Sequence, residues 1–126
     1  MTVNVVAAVV DDGHRFLVTQ RQAGAHLGGM WEFPGGKVGD AESHEQALRR
    51  EMLEELGVDV EVERLVLSTS HHYQDRTVAL YFYKCNLLGL PAPQLGQQMR
   101  WVTRDELPTL EFPPAYADLI ALLSDS

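Results

Sequence analysis

The segment GGKVGDAESHEQALRREMLEELGV, residues 35–58, constrains the fold of this chain more than any other segment. Ser43 and Gln46 form a capping-box pattern, which predicts that a helix begins near Ser43. Residues 44–56 are good helix formers, and Gly57 is typical of the position just beyond a helix. The sequence therefore predicts one sharply bounded helix that follows a pair of glycines.

Three carboxylates, Glu51, Glu54 and Glu55, lie within five positions of this helix. A helix turns about 100° per residue, so the three project over one face, while apolar residues at every fourth position can still dock on a core. One interpretation is a solvated acidic face in which Arg50 pairs with Glu54. The other is a site for a hard cation such as Mg²⁺ or Mn²⁺, which takes oxygen ligands.

The loop before the helix favours the cation site. Gly35, Gly36 and Lys37 follow a predicted strand and precede the helix by only a few residues. Glycines let a backbone approach a ligand closely, and a lysine can neutralise a phosphate. A glycine loop, a lysine and a carboxylate helix in one unit indicate phosphate chemistry more strongly than any of the three alone.

Charge and composition limit the classes of partner that we expect this protein to bind. The formal net charge of −8 over 126 residues gives no positive footprint for a nucleic-acid polymer, so none is expected as a partner. No apolar run approaches the ~20 residues of a membrane helix, and the start of the chain does not resemble a signal peptide, so no membrane is expected either. The single cysteine, Cys85, cannot form an internal disulfide, which favours a reducing cytoplasm.

Short runs of apolar and β-branched residues predict strands on both sides of the helix. In chain order, the predicted strands cover residues 3–10, 15–20, 31–33, 58–73, 76–87 and 99–102. The first two are predicted to form a hairpin that turns at 11–14. A final helix is predicted after Pro113 or Pro114. The fold class is therefore α/β with a mixed sheet, in a single domain of residues 1–126.

At this point the chain resembles a known family. Gly36, then Glu42 after five residues, and then REMLEELGV, residues 50–58, after seven more match the Nudix box, G-x5-E-x7-R-E-U-x-E-E-x-G-U with U apolar, at every defined position. The segments HLGGMWEFPGGK and TLEFPPA are similar to the MutT branch of that family. The resemblance covers most of the chain and implies the Nudix fold, a mixed β-sheet sandwiched between helices.

The resemblance also implies an activity. Nudix enzymes hydrolyse a nucleoside diphosphate linked to a further group, and MutT-like members convert nucleoside triphosphates to the monophosphate and pyrophosphate. It implies Mg²⁺, or Mn²⁺, bound by Glu51, Glu54, Glu55 and the Gly35 carbonyl, with Arg50 orienting the carboxylates. Glu51 and Glu54 are the candidates for the catalytic base, and the alternative is that the metal itself generates the attacking hydroxide.

Contacts with the nucleotide are implied as well. Basic residues would contact its phosphates, His26 lies in a loop that resembles the substrate-facing loop of MutT, and aromatic residues would line a base pocket. The implied substrate-binding residues are Arg21, His26, Phe33, Lys37, Tyr73 and Tyr116. Phe33 and Tyr73 are equally compatible with core packing. Glu42 would brace the loop rather than bind the cation.

The sequence departs from the MutT pattern at two positions. Leu95 occupies a place where MutT-like enzymes often carry another metal-binding glutamate, and an apolar side chain cannot bind Mg²⁺. Glu111, His71 or His72 could compensate, although the two histidines are also consistent with a polar strand end. Tyr116 stands where the MutT branch usually has Asn or Asp to bind the nucleobase, which leaves the preferred base open.

Three functions remain in view. The first is a divalent-metal-dependent pyrophosphohydrolase of nucleoside triphosphates, oxidised or modified ones included, which cleans the nucleotide pool. The second is a hydrolase of another nucleoside diphosphate derivative, such as ADP-ribose. The third is a non-catalytic Nudix module that binds a nucleotide or a protein. Either a monomer or a homodimer is consistent with the sequence.

Overall fold

The computed structural model describes residues 1–22 and 28–125. Its strands are β1 Thr2–Val9, β2 Arg15–Gln20, β3 Trp31–Glu32, β4 Gly35–Lys37, β5 Val60–His72, β6 Thr77–Leu87 and β7 Met99–Thr103. Its α-helices are α1 His44–Leu56 and α2 Ala117–Ser124, and 3-10 turns cover Leu107–Thr109 and Pro114–Tyr116. In this part of the chain, no helix is long and apolar enough to cross a membrane.

The strands form two sheets rather than one. The first has the order β4-β1-β6-β5 and the second the order β3-β2-β7. In the first sheet β1 runs parallel to β6 and antiparallel to β4, so this sheet is mixed, whereas the second sheet is entirely antiparallel. The predicted α/β class with a mixed sheet is confirmed, and the division into two sheets is a feature that the sequence did not indicate.

The predicted hairpin between residues 3–10 and 15–20 is wrong as a pair of strands. The turn itself forms, because Asp12 Oδ1 accepts the N–H groups of His14 and Arg15 at 3.0 and 2.7 Å. However, β4 and β6 already pair with the two edges of β1, so β2 joins the other sheet. Only an isolated bridge between Asp11 and Phe16 remains of the hairpin.

The chain at β1 is buried on both of its faces. Val6, Ala8 and Val10 pack in a core that includes the buried face of α1, whereas Ala7 and Val9 pack in a second core that includes Leu119 of α2. Because the strand is covered on both faces, its sequence is a continuous apolar run instead of an alternating one. The predicted arrangement of sheet between helices is thus confirmed.

Candidate functional site

Caps at both ends fix the position of α1, the helix that carries the carboxylates. Ser43 Oγ accepts the Gln46 N–H at 3.1 Å, and the Gln46 side chain accepts the Ser43 N–H at 2.8 Å. Gly57 adopts a left-handed φ of 63° and donates its N–H to the Leu53 carbonyl at 3.0 Å. The predicted helix, with both of its boundary signals, is confirmed.

The glycine pair forms part of β4, which brings it against α1. Gly36 pairs with Val6 of β1, and a Cβ atom at Gly36 would lie 2.5 Å from the carboxyl carbon of Glu51. A Cβ at Gly35 would lie 2.0 Å from the Val6 carbonyl oxygen. No real Cβ makes contacts that short. The absence of side chains therefore lets the Glu51 carboxylate lie directly against the β4 backbone.

Arg50 connects the loop to the helix carboxylates. Its Nη1 donates to Glu51 Oε1 at 2.8 Å and to Glu54 Oε2 at 3.3 Å, and its Nη2 donates to the Lys37 carbonyl at 3.0 Å. It also makes two hydrogen bonds to Glu42, which lower the pKa of that carboxyl to about 2 and raise the pKa of the guanidinium. One arginine thus holds together the loop and two of the three candidate ligands.

Glu51 and Glu55 form a tight carboxyl pair. Burial raises the pKa of Glu55 to about 9, and its side-chain hydrogen bond with Glu51 and the charge of Glu32 act in the same direction. A hydrogen bond from the Gly35 backbone partly offsets these effects. A carboxyl that is hydrogen-bonded to a second carboxylate holds its proton more tightly, which is the direction of the pKa shift at Glu55.

Glu32 is a fourth carboxylate in this site, and sequence reasoning missed it. Burial raises the pKa of Glu32, an effect that Arg21 opposes and the charge of Glu51 reinforces. Arg21 Nη1 donates to Glu32 Oε2 at 3.0 Å. The available signal was a charged residue inside the short apolar strand segment WEF, immediately before Pro34 and the glycine pair.

The described residues contain no preassembled group of three or more acidic, histidine or cysteine side chains that could hold a metal ion. Glu54 is turned toward Arg50, and its side chain is 57% exposed. The donor set nevertheless fits a hard dication, because oxygen ligands are what Mg²⁺ prefers. The raised pKa of Glu55 agrees with this fit, since a bound cation would take the place of the proton that Glu55 otherwise holds.

Two pockets adjoin each other at Arg21. The carboxylate pocket has a volume of about 190 Å³, and its lining includes Arg21, Glu32, Glu55, Leu95 and Gln97. The aromatic pocket has a volume of about 170 Å³, and its lining includes Arg21, Lys37, Tyr73, Arg76 and Tyr116. Four of the predicted substrate contacts thus line one pocket, and Arg76 is an addition that the sequence analysis missed. Its guanidinium carbon lies 5.8 Å from the centre of the Tyr73 ring.

The other predicted contacts are placed differently. The Phe33 side chain is 1% exposed and packs among Phe82, Phe112 and Tyr116, so its ring has no face open to a ligand. Tyr116, which lines the aromatic pocket, also packs its ring in this cluster, and burial raises the pKa of its hydroxyl. His26 lies outside the described residues.

Leu95 lies at the carboxylate pocket, together with Glu32 and Glu55. The residues considered as substitutes for a missing carboxylate do not line that pocket. His71 packs its ring against Tyr73 at 4.7 Å, and His72 is hydrogen-bonded to Thr77 Oγ1 at 2.9 Å. Both therefore have the character of polar residues at a strand end.

Comparisons with known proteins agree with one another. The family model described as NUDIX domain matches residues 5–122. An 8-oxo-dGTP diphosphatase of Haemophilus influenzae is 35% identical over 120 residues, which cover 94% of this chain and 88% of that protein. A CTP pyrophosphohydrolase of Escherichia coli is 35% identical over 118 residues, 93% of this chain and 86% of that protein. The solution structure of the E. coli ORF135 protein superposes with a TM-score of 0.83 at 33% identity and covers 97% and 86% of the two chains.

Proposed function

The chain belongs to the NUDIX domain family, as a MutT-like Nudix hydrolase, and from that membership we propose that it converts nucleoside triphosphates to the monophosphate and pyrophosphate. Oxidised or otherwise modified nucleotides are included, so the activity would clean the nucleotide pool. One observation carries the proposal: Arg21 lines both the carboxylate pocket and the aromatic pocket. A nucleotide with its base in the aromatic pocket can therefore extend its phosphates past Arg21 to the carboxylates.

Nudix hydrolases generally need a divalent metal, and for this chain we propose Mg²⁺, with Mn²⁺ as a substitute. Its ligands would be Glu51, Glu54, Glu55 and the Gly35 carbonyl. The bound cation would supply positive charge at the phosphoryl oxygens and acidify a water molecule. Arg50 would keep the Glu51 and Glu54 carboxylates in place through the hydrogen bonds that it already makes to both.

The proposed contacts with the nucleotide are residues that line the two pockets. Arg21 and Lys37 would neutralise the phosphates, and Tyr73, Arg76 and Tyr116 would bound the space for the base. Glu51 and Glu54 stay the two candidates for the group that takes a proton from the attacking water. Their surroundings differ, because the Glu51 side chain is 15% exposed and the Glu54 side chain 57%.

A product panel tests the proposal. The purified protein is incubated with Mg²⁺ or Mn²⁺ and, separately, with each ribo- and deoxynucleoside triphosphate, 8-oxo-dGTP, modified cytidine triphosphates and ADP-ribose. Anion exchange then resolves the products. Monophosphate plus pyrophosphate from one triphosphate would support the proposal and identify the base. Cleavage of ADP-ribose alone would replace the substrate class with the other nucleoside diphosphate derivatives.

A non-catalytic nucleotide-binding module is the second candidate, and the position of Leu95 is the observation that favours it. Leu95 lines the carboxylate pocket together with Glu32 and Glu55, and its apolar side chain offers a cation no ligand. Nucleotide binding without cleavage in the same panel would support this candidate. A Leu95→Glu variant that gained cleavage would show that the apolar side chain is the cause.

We further propose that residues 1–126 form one domain that acts in the cytoplasm, as a monomer or a homodimer. The alternating residues of β1 contribute to both cores, which supports a single folding unit. Cys85 is buried, and burial raises the pKa of its thiol to about 12, as expected for a cysteine that serves packing. Fractionation of cells and sedimentation of the purified chain test these two points.

A further inference from the structure

The loop between β6 and β7, residues 88–98, closes the C-terminal end of α1. The N–H groups of Ala92 and Gln94 donate to the carbonyls of Leu56 and Glu55, each at 2.9 Å. The side-chain Nε2 of Gln97 donates to the same Glu55 carbonyl at 2.9 Å. The last carbonyls of a helix have no partner within it, so this loop supplies the partners for α1.

Gln97 also uses the other half of its amide. Its Oε1 accepts the Leu95 N–H at 2.9 Å, while the Leu95 carbonyl accepts a hydrogen bond from the Gln22 side chain at the end of β2. Both backbone polar groups of Leu95 are therefore held by glutamine side chains. Leu95 is nevertheless 58% exposed, so burial of its side chain does not explain the two hydrogen bonds made by its backbone.

We propose that Gln97 is a positioning residue for the carboxylate pocket. By donating to Glu55 and accepting from Leu95, one amide sets the spacing between the helix end that carries Glu55 and the loop that carries Leu95. An amide suits this position, because it donates and accepts at once. Gln97 lines the same pocket as Glu55 and Leu95, so this spacing decides the width of the pocket. The inference rests on the proposed function, in which Glu55 binds the cation.

The test compares Gln97→Met with Gln98→Met. Methionine has nearly the length of glutamine but cannot form either hydrogen bond. Gln98 is the exposed neighbour, and its substitution provides a matched control. For Gln97→Met we expect Mn²⁺ binding, measured by electron paramagnetic resonance, to weaken about tenfold, which is the usual scale for residues that orient metal ligands. For Gln98→Met we expect a change of less than about twofold.

Kinetics at saturating cation provide the second readout. The kcat of Gln97→Met should fall about tenfold, while its KM for the nucleotide stays within about twofold, because Gln97 holds the backbone of the helix end that carries Glu55 rather than the substrate. Equal Mn²⁺ affinity in the wild type and Gln97→Met would overturn the inference. Equal weakening in both variants would also overturn it, since that result would show a general loosening of the loop. Unfolding temperatures of all three proteins show whether each variant is folded.

The inference and the proposed function fail in different ways. If the wild type binds Mn²⁺ but cleaves no nucleotide, the hydrolase proposal is refuted, whereas the Mn²⁺ comparison of the two variants still decides the role of Gln97. If the wild type cleaves nucleotides and Gln97→Met has unchanged kcat and Mn²⁺ affinity, the hydrolase proposal stands and the role of Gln97 is refuted.

Discussion

Arg50 binds Glu42 through two parallel hydrogen bonds, from Nε to Oε2 at 2.7 Å and from Nη2 to Oε1 at 3.0 Å. The same Oε1 atom accepts the Gly39 N–H at 2.8 Å. Glu42 therefore has the bracing role that was expected of it, and it holds the arginine that reaches Glu51 and Glu54. The two carboxylate oxygens of Glu42 match the planar guanidinium of Arg50. A lysine in place of Arg50 could not make this pair of parallel hydrogen bonds.

Substitution Glu42→Gln should lower kcat about tenfold, because Arg50 loses one of its charged partners and with it a fixed position beside Glu51. The KM for the nucleotide should change much less. Steady-state kinetics at saturating Mg²⁺ measure both. Glu45→Gln, an exposed change in the first turn of the same helix, is the control and should behave as the wild type does. An unaltered kcat in Glu42→Gln would show that catalysis does not depend on the hydrogen bonds between Glu42 and Arg50.

The Glu42 interaction should also give a pH-dependent contribution to stability. The hydrogen bonds from Arg50 and the Gly39 N–H lower the pKa of Glu42 to about 2, from an ordinary 4.5. A lowered carboxyl pKa stabilises the folded state fully above the unfolded pKa, and the contribution is lost as the pH falls through the folded pKa. The difference in Tm between wild type and Glu42→Gln should therefore shrink between about pH 4.5 and about pH 2. A constant difference would contradict the prediction.

In the metal-free protein, Glu55 should make the folded state less stable as the pH rises, which is the opposite of the effect of Glu42. Burial raises its pKa to about 9 from an ordinary 4.5, so between these values the folded state holds a proton that the unfolded state has lost. Stability then decreases as the pH rises through that range. In the presence of EDTA, the Tm of the wild type should fall more steeply from pH 5 to pH 9 than the Tm of Glu55→Gln. Parallel curves would show that Glu55 titrates normally.

Gly36→Ala should inactivate the enzyme without unfolding it. The new Cβ would lie 2.5 Å from the Glu51 carboxyl carbon, so the flexible carboxylate has to move. A displacement of about 1 Å in a catalytic site can lower the rate by about a hundredfold. The control is Gly89→Ala, where the Cβ meets only Val58 Cγ2 at an ordinary 3.4 Å. Kinetics and circular dichroism of both variants distinguish a local displacement from unfolding, and full activity of Gly36→Ala would refute the assigned role of Glu51.

A divalent cation should stabilise the folded state. A ligand that binds only the folded protein contributes about 2.7 kcal/mol at a concentration one hundred times its Kd. Thermal unfolding with Mg²⁺, with Mn²⁺ and with EDTA should therefore show a higher Tm in either metal, and the gain should be smaller in Glu51→Gln. The same increase in wild type and in Glu51→Gln would place the bound cation elsewhere.

Local patterns in the sequence were enough to predict α1, its caps and the grouping of its acids, because each of those features depends on residues only a few positions apart. The β1–β2 hairpin was predicted wrongly for the same reason. A tight turn brings two strands together locally, but whether they pair depends on what else lies along their edges, and β6, about 70 residues away in the chain, takes that place beside β1.

The sequence by itself determined that a capped helix would present Glu51, Glu54 and Glu55 behind a glycine loop, and it determined the family. Only the tertiary structure decided that the half-buried Glu51 and Glu55 carboxyls pair with each other, with Glu55 at the carboxylate pocket, while Glu54 turns outward to Arg50. Only the tertiary structure brought Glu32 and Gln97 to that pocket, from a two-residue strand and a distant loop. The physical reason is that helix periodicity sets directions on one element, whereas burial and shared hydrogen bonds depend on the elements that pack against it.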